Sequence, residues 1–306
     1  MSTEKPSSLK LLLAISFAIL AVSTSSIFIR FAQAEAPSLV IAASRLLLAS
    51  LFLAPPALLK HRKELQTLTR FELALGLLSG IFLALHFATW ITSLEYTTVA
   101  SSVVLVSTSP LWVAILAPLF LKEKLTKKIL VGMILTLIGG AIIGFSEGCI
   151  WDGGLTCASR ADLGLAEASK GNFLALAGAW AIAGYLLIGR RLRAKMSLIP
   201  YIFLVYGMAA IVMLIILAFT KNSLLGYSPF TYLWLLAIAL FPQLIGHSTY
   251  NWALRYLPVA LVAVTTLGEP IGSSILAFVI LKETPSLLQI IGGVLILTGI
   301  YVTSKR

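Results

Sequence analysis

Ten apolar runs, each close to the same length, alternate with short polar stretches along the chain. They span residues 10–29, 38–59, 71–94, 99–121, 127–145, 171–189, 199–219, 230–254, 259–281 and 286–304. An α-helix needs about 20 apolar residues to cross a hydrocarbon core. Membrane β-strands show short alternating stretches instead, and these are absent. Backbone groups in lipid must be satisfied within their own segment. The pattern therefore predicts an all-α membrane protein with ten transmembrane helices.

The pattern also repeats. At an offset of 160 residues, Thr89–Gly139 aligns with Thr249–Gly299 without a gap and with 17 identities. Leu94 falls on Leu254, Tyr96 on Tyr256, Pro110 on Pro270, Leu121-Lys122-Glu123 on Leu281-Lys282-Glu283, Gly132 on Gly292 and Gly139 on Gly299. Five crossings per copy is an odd number, so the second copy must lie upside down relative to the first. Inverted repeats of this kind are a hallmark of secondary transporters, whose site lies where the repeats meet. The expected organisation is a first repeat over 1–145, an external loop over 146–170 and a second repeat over 171–306.

Composition agrees with a chain immersed in lipid. Hydrophobic residues make up 59% and charged residues 11%, against about 25% charged in a soluble domain. The net charge of +11 is gathered in clusters between the apolar runs. It forms no basic stripe of the kind that reads nucleic acid, so nucleic-acid partners are not expected. With the N-terminus inside, 17 Lys and Arg fall on the inner side and 5 on the outer. The positive-inside rule then places both termini in the cytoplasm; the location expected for the chain is a bacterial inner membrane. Lys5, Lys10 and Ala32-Gln33-Ala34 imitate a secretory signal and its cleavage site. The run Leu11–Ile29 is longer than a usual signal core and lies one repeat ahead of the sixth segment, so it is read as a span.

Cys149 and Cys157 both fall in the acidic external loop. An oxidising exterior permits a disulfide between them, and two free thiols are the alternative. Three scattered histidines and these two cysteines offer no metal cluster, and no cofactor is expected. A phosphate-cradling loop and a nucleophile–base–acid set are also absent, so the chain is not read as an enzyme.

Polar groups deep in a span are costly, and they are functional candidates by default. Glu269 lies at mid-span beside Pro270. It can accept a substrate amine or carry a proton, or it can serve only a structural ion pair. Pro110 and Pro270 each remove a backbone donor at matching depth, which breaks two helices around a shared cavity or merely kinks them. His86 and Trp90 share a helix face, and Trp90 falls on Tyr250 at the repeat offset. His247, Tyr250 and Asn251 repeat that arrangement. Trp90, Trp180 and Tyr185 either line the cavity or pack helices. Arg45 can bind an anionic group, pair with Glu269 or cap carbonyls. Gly140 and Gly144 form a G-xxx-G that suits a close helix contact within the monomer or in a homodimer.

The block Pro110…Leu121-Lys122-Glu123 and its counterpart Gly268-Glu269-Pro270…Leu281-Lys282-Glu283…Gly292 resemble the EamA-type branch of the drug/metabolite transporter superfamily. Arg45 within Ala42-Ala43-Ser44-Arg45-Leu46-Leu47 is similar to that family's second-helix arginine. The resemblance covers nearly the whole chain. It implies a ten-helix inverted-repeat carrier that exports amino acids or related metabolites. It also implies a central cavity built from helices 1, 3, 4, 6, 8 and 9, to which His86, Trp90, Trp180, Tyr185, Tyr250, Asn251 and Glu269 would contribute. The partners expected are a small-molecule substrate, protons and the lipid bilayer. Carriage of a sugar nucleotide or lipid-linked sugar, or a non-transporting scaffold role, are the alternatives.

Overall fold

The computed structural model describes residues 6–121, 127–146, 149–151, 155–157 and 165–304. Its helical rods, in chain order, are α1 (Ser8–Ala32), α2 (Ser38–Lys60), α3 (Arg70–Ser93), α4 (Val99–Phe120), α5 (Lys127–Ser146), α6 (Ala166–Arg193), α7 (Leu198–Thr220), α8 (Pro229–Ala253), α9 (Val259–Leu281) and α10 (Leu287–Ser304). Eight of them are long and apolar enough to cross a membrane. The other two, α5 and α10, carry the shorter apolar stretches Leu130–Ile143 and Leu287–Gly299. Among the described residues one antiparallel hairpin, β1 (Cys149–Trp151) with β2 (Leu155–Cys157), interrupts the helices and sets Cys149 opposite Cys157 in its register.

Large apolar side chains such as Leu59, Phe173, Phe219, Phe230 and Phe278 stand exposed around the bundle. A water-soluble monomer rarely exposes an apolar surface this extensive. With the apolar rods, it makes the chain an integral membrane protein.

Local chemistry sets where the rods start and stop. A reciprocal cap opens α3: the Thr69 hydroxyl accepts from the Glu72 N–H, and the Glu72 carboxylate accepts from the Thr69 N–H. Ser228 and the first-turn Pro229 open α8. Lys221 and Lys282 adopt left-handed backbone where α7 and α9 end.

Several rods are broken in their interiors. The α4 rod divides into Val99–Val106 and a helix, Ser109–Leu121, that runs one residue past the apolar span. The α9 rod consists of Val259–Thr265 and Gly268–Leu276, then a wide π turn over Ala277–Leu281. The two breaks, at 107–108 and 266–267, coincide to within a residue under the repeat offset. Pro110 and Pro270 follow them, as expected of a residue that cannot donate to the preceding turn. Past the second break, the Thr266 carbonyl accepts the Glu269 N–H at 2.9 Å and so stays satisfied. In α8, a π segment over Ala239–His247 surrounds Pro242.

Packing follows a two-fold exchange. The α1 rod lies against α8 and α9, just as α6 lies against α3 and α4. The remaining pairs, α2 with α7 and α5 with α10, map onto themselves. In the last pair the contact is backbone to backbone. A Cβ on Gly139 would come 2.5 Å from the Gly292 carbonyl oxygen, and one on Gly299 would come 2.6 Å from that of Gly132. Gly140, by contrast, meets only Leu105, at 4.0 Å. The tight crossing therefore uses Gly132 and Gly139 and leaves Gly140 outside it, and it lies within one chain.

Polar ties mark the two ends of the bundle. At one end Arg30 donates to the Thr97 carbonyl at 2.9 Å and pairs with Glu283 at 3.4 Å. Glu283 also accepts the Val99 N–H at 2.8 Å. At the other end Glu64 accepts the Ser197 N–H at 2.6 Å, and Lys195 pairs with Glu72 at 3.7 Å. Arg190 there donates to the Leu254 carbonyl at 2.5 Å.

Candidate functional site

The broken rods meet at a cavity. It is lined by His86 and Trp90 from α3, Val106, Ser107 and Ser109 from α4, Ile182, Tyr185 and Leu186 from α6, His247 and Tyr250 from α8, and Thr266 and Glu269 from α9. Both helix breaks therefore open onto the same space. Ser109 and Glu269 occupy equivalent places in the two halves, and so do Trp90 and Tyr250. The space amounts to about 40 Å³, enough for roughly three waters at 10–15 Å³ each.

Aromatic rings form much of the wall. His86 stacks on Trp90 with centroids 5.8 Å apart and planes 12° from parallel. His247 stands 6.4 Å from His86 and 6.4 Å, edge-on, from Tyr250. His86 Nδ1 lies 2.9 Å from the Gly178 carbonyl. A carbonyl can only accept, so Nδ1 carries the proton, and Nε2 of the neutral ring is left as an acceptor.

Among the described residues, three polar groups of this wall have no hydrogen-bond or ion-pair partner. Trp90 Nε1 and the Tyr250 hydroxyl are buried without a hydrogen bond. The half-buried Glu269 carboxylate makes no hydrogen bond or ion pair among the described residues. Buried polar groups are normally satisfied, so a donor, a hydroxyl and a carboxylate left together in one cavity are ready for a ligand. The aromatic faces beside the carboxylate also suit a cation.

Other residues named from sequence lie elsewhere. Trp180 is 52% exposed on the outer surface of α6 and does not line the cavity. Residues five apart on a helix point about 140° away from each other at 100° per residue, so Tyr185 and Trp180 cannot share a face. Asn251 sits behind the wall, where its amide donates to the Tyr185 and Tyr206 hydroxyls at 2.5 and 3.3 Å and so braces Tyr185. Arg45 is buried and does not pair with Glu269. Its Nε donates to Gln243 Oε1 at 2.6 Å and its Nη1 to the Ser25 hydroxyl at 2.9 Å. Its guanidinium carbon lies 4.0 Å from the centre of the Phe87 ring, which in turn meets His247 edge-on at 5.3 Å.

Sequence reasoning missed Ser107, Ser109 and Thr266, although each stands next to a predicted proline break. It also missed Gln243, which is 198 residues from Arg45 and carries no local signal.

Comparison with known proteins bears on this arrangement. The model of the EamA-like transporter family matches residues 9–145 and again 169–305. Uncharacterized transporter YetK of Bacillus subtilis is 27% identical over 212 residues, covering 68% of this chain and 61% of that protein. An uncharacterized transporter of Archaeoglobus fulgidus is 25% identical over 232 residues, covering 75% of this chain and 74% of its own. The match thus spans less than two thirds of the Bacillus protein. A solved crystal structure, 19% identical, superposes on 97% of this chain and 96% of its own with a TM-score of 0.66, a likeness of fold.

Proposed function

We propose that this chain, which belongs to the EamA-like transporter family of the drug/metabolite transporter superfamily and is a membrane transporter, exports a small amphipathic solute bearing an ammonium group, such as an amino acid. One observation carries this reading: Glu269 presents an unpaired carboxylate at the break of α9, inside an aromatic cavity. An ammonium ion there gains a charge-assisted hydrogen bond and the π faces of Trp90 and Tyr250. The Tyr250 hydroxyl, Trp90 Nε1 and His86 Nε2 are then available to the polar remainder of the solute.

Movement follows an alternating-access cycle. A cavity of about 40 Å³ is too small for a metabolite, so the halves must separate to load and unload it. The breaks in α4 and α9 are the flexible points. The Arg30–Glu283 pair ties α1 to the far end of α9 and, through Val99, to α4. The charge count assigns that end to the outside, with both termini cytoplasmic and all ten rods crossing the cytoplasmic membrane. The tie is then an outer latch that breaks for release. The two family matches, ending at 145 and starting again at 169, support two repeats joined by an external loop. The opposed Cys149 and Cys157 support a bridge closing that loop.

The test is flux. Purified protein in proteoliposomes is given amino acids, other amines and sugar nucleotides as separate labelled solutes. Exchange of a primary amine, lost in Glu269→Gln, supports the reading. Exchange of sugar nucleotides alone, unaffected by that change, replaces it with the nucleotide-sugar alternative.

A further inference from the structure

The two helix breaks open onto one cavity but differ in chemistry. At the α9 break the donors are already engaged. The Glu269 N–H is met by the Thr266 carbonyl at 2.9 Å. The Thr265 and Thr266 hydroxyls turn back onto the Val262 and Ala263 carbonyls, both at 2.7 Å. Glu269 itself stands in the first turn of Gly268–Leu276 and compensates the positive end of that half-helix.

At the α4 break the same places are open. Ser109 holds the position of Glu269, and the first turn of Ser109–Leu121 carries no acid. The Ser109 N–H has no acceptor among the described residues. Neither Ser107 nor Ser109 makes a side-chain hydrogen bond among them, although each is only 4% exposed and lines the cavity. Trp90 Nε1, buried without an acceptor, belongs to the same wall. Unmet donors buried together at a helix N-terminus call for an anion. A single negative charge suits them, because no Lys or Arg lines the cavity to balance a second.

We propose that the carboxylate of the solute docks at the α4 break, on the Ser109 N–H and the Ser107 and Ser109 hydroxyls, so that the cargo is a zwitterionic α-amino acid and not a simple amine. This rests on the reading that Glu269 holds the ammonium group. The two half-helices then grip the two charges of one solute from opposite repeats. A space of about 40 Å³ leaves no room for a long spacer between the anchors, and in an α-amino acid the two charged groups share one carbon.

Flux into proteoliposomes holding the full chain tests this with paired probes: alanine, leucine and phenylalanine, each beside its own amide. The amide keeps the ammonium group and the side chain and loses the negative charge. Mildly acidic buffer keeps every amine charged. In the parent, at least one amino acid is expected to reach half-maximal flux at a concentration about tenfold below that of its amide, the factor that goes with one hydrogen bond to a charged group. In Ser107→Ala/Ser109→Ala that ratio should fall towards unity. Ser109→Asp sets a fixed carboxylate where that of the solute would sit, and an acid is favourable at a helix N-terminus. It should invert the ratio in favour of the amide, whereas a purely structural role for Ser109 would move both members of a pair alike. Equal values for amino acids and amides in the parent would overturn the carboxylate site and leave the ammonium reading standing, as would a ratio that survives in both variants. Flux of neither amino acids nor amides would overturn the ammonium reading itself, and the site with it.

Discussion

Gly139 and Gly292 touch backbone to backbone where α5 crosses α10, and Gly132 and Gly299 repeat the contact with the halves exchanged. Only a residue without a Cβ permits that approach. Gly139→Ala should force the two rods apart and lower stability by about 1–3 kcal/mol, the range for overpacking. Gly140→Ala, one position away and open on that side, should leave stability unchanged. Unfolding temperatures of the two variants in detergent check the contrast.

Glu269 is expected to dominate affinity for an ammonium solute. Glu269→Gln keeps the shape and removes the charge. A hydrogen bond to a charged group contributes about 1.5–3 kcal/mol, so the concentration for half-maximal flux should rise at least about tenfold. Concentration-dependent uptake into proteoliposomes measures it. An unchanged value would remove Glu269 from the site.

The two tryptophans should behave differently. Trp90→Phe deletes the one indole N–H among the described residues of the cavity wall and alters the stack on His86, so flux should fall several-fold. Trp180→Phe changes a side chain on the outer surface and should leave flux intact. Both variants should express and unfold like the parent.

Breaking the outer latch should bias the cycle. With Cys149 and Cys157 replaced by serine, a cysteine at Ser107 reports access to the cavity. Glu283→Ala removes both the ion pair with Arg30 and the cap on the Val99 N–H. Labelling of Ser107→Cys by an external, membrane-impermeant thiol reagent should then speed up several-fold.

Glu35 contributes a pH-dependent tie outside the spans. Its carboxylate accepts the Ser228 N–H at 2.9 Å and the Thr231 hydroxyl at 2.8 Å. These bonds, the Ser228 N–H first, hold its pKa below the ordinary 4.5. A depressed carboxylate stabilises the fold above the unfolded value, and that stability is lost as pH falls through the lower folded value. The parent should therefore lose unfolding temperature more steeply below 4.5 than Glu35→Gln does.

How much of this was legible in the sequence depended on the signal involved. Pro110 and Pro270 marked the helix breaks because a missing N–H acts on its own turn, whatever packs around it. The gapless offset paired Trp90 with Tyr250 and Gly139 with Gly299 for the same reason: the repeat carries register. Which of two adjacent glycines faces a neighbour is set by the rotation of the rod, and spacing does not contain it. Trp180 was misplaced for want of that rotation. Gln243 was invisible because a π segment turns it toward a partner far away in sequence.

The equivalence of Ser109 and Glu269 has a last consequence. Two copies of one ancestral unit have kept a common frame, yet only the later copy bears the charged anchor. If the proposed reading holds, a passenger gripped by Glu269 would travel with one half of the machine and be wiped past the other. On that reading the cargo would keep one polarity throughout the swing, and the duplication would act as a vector.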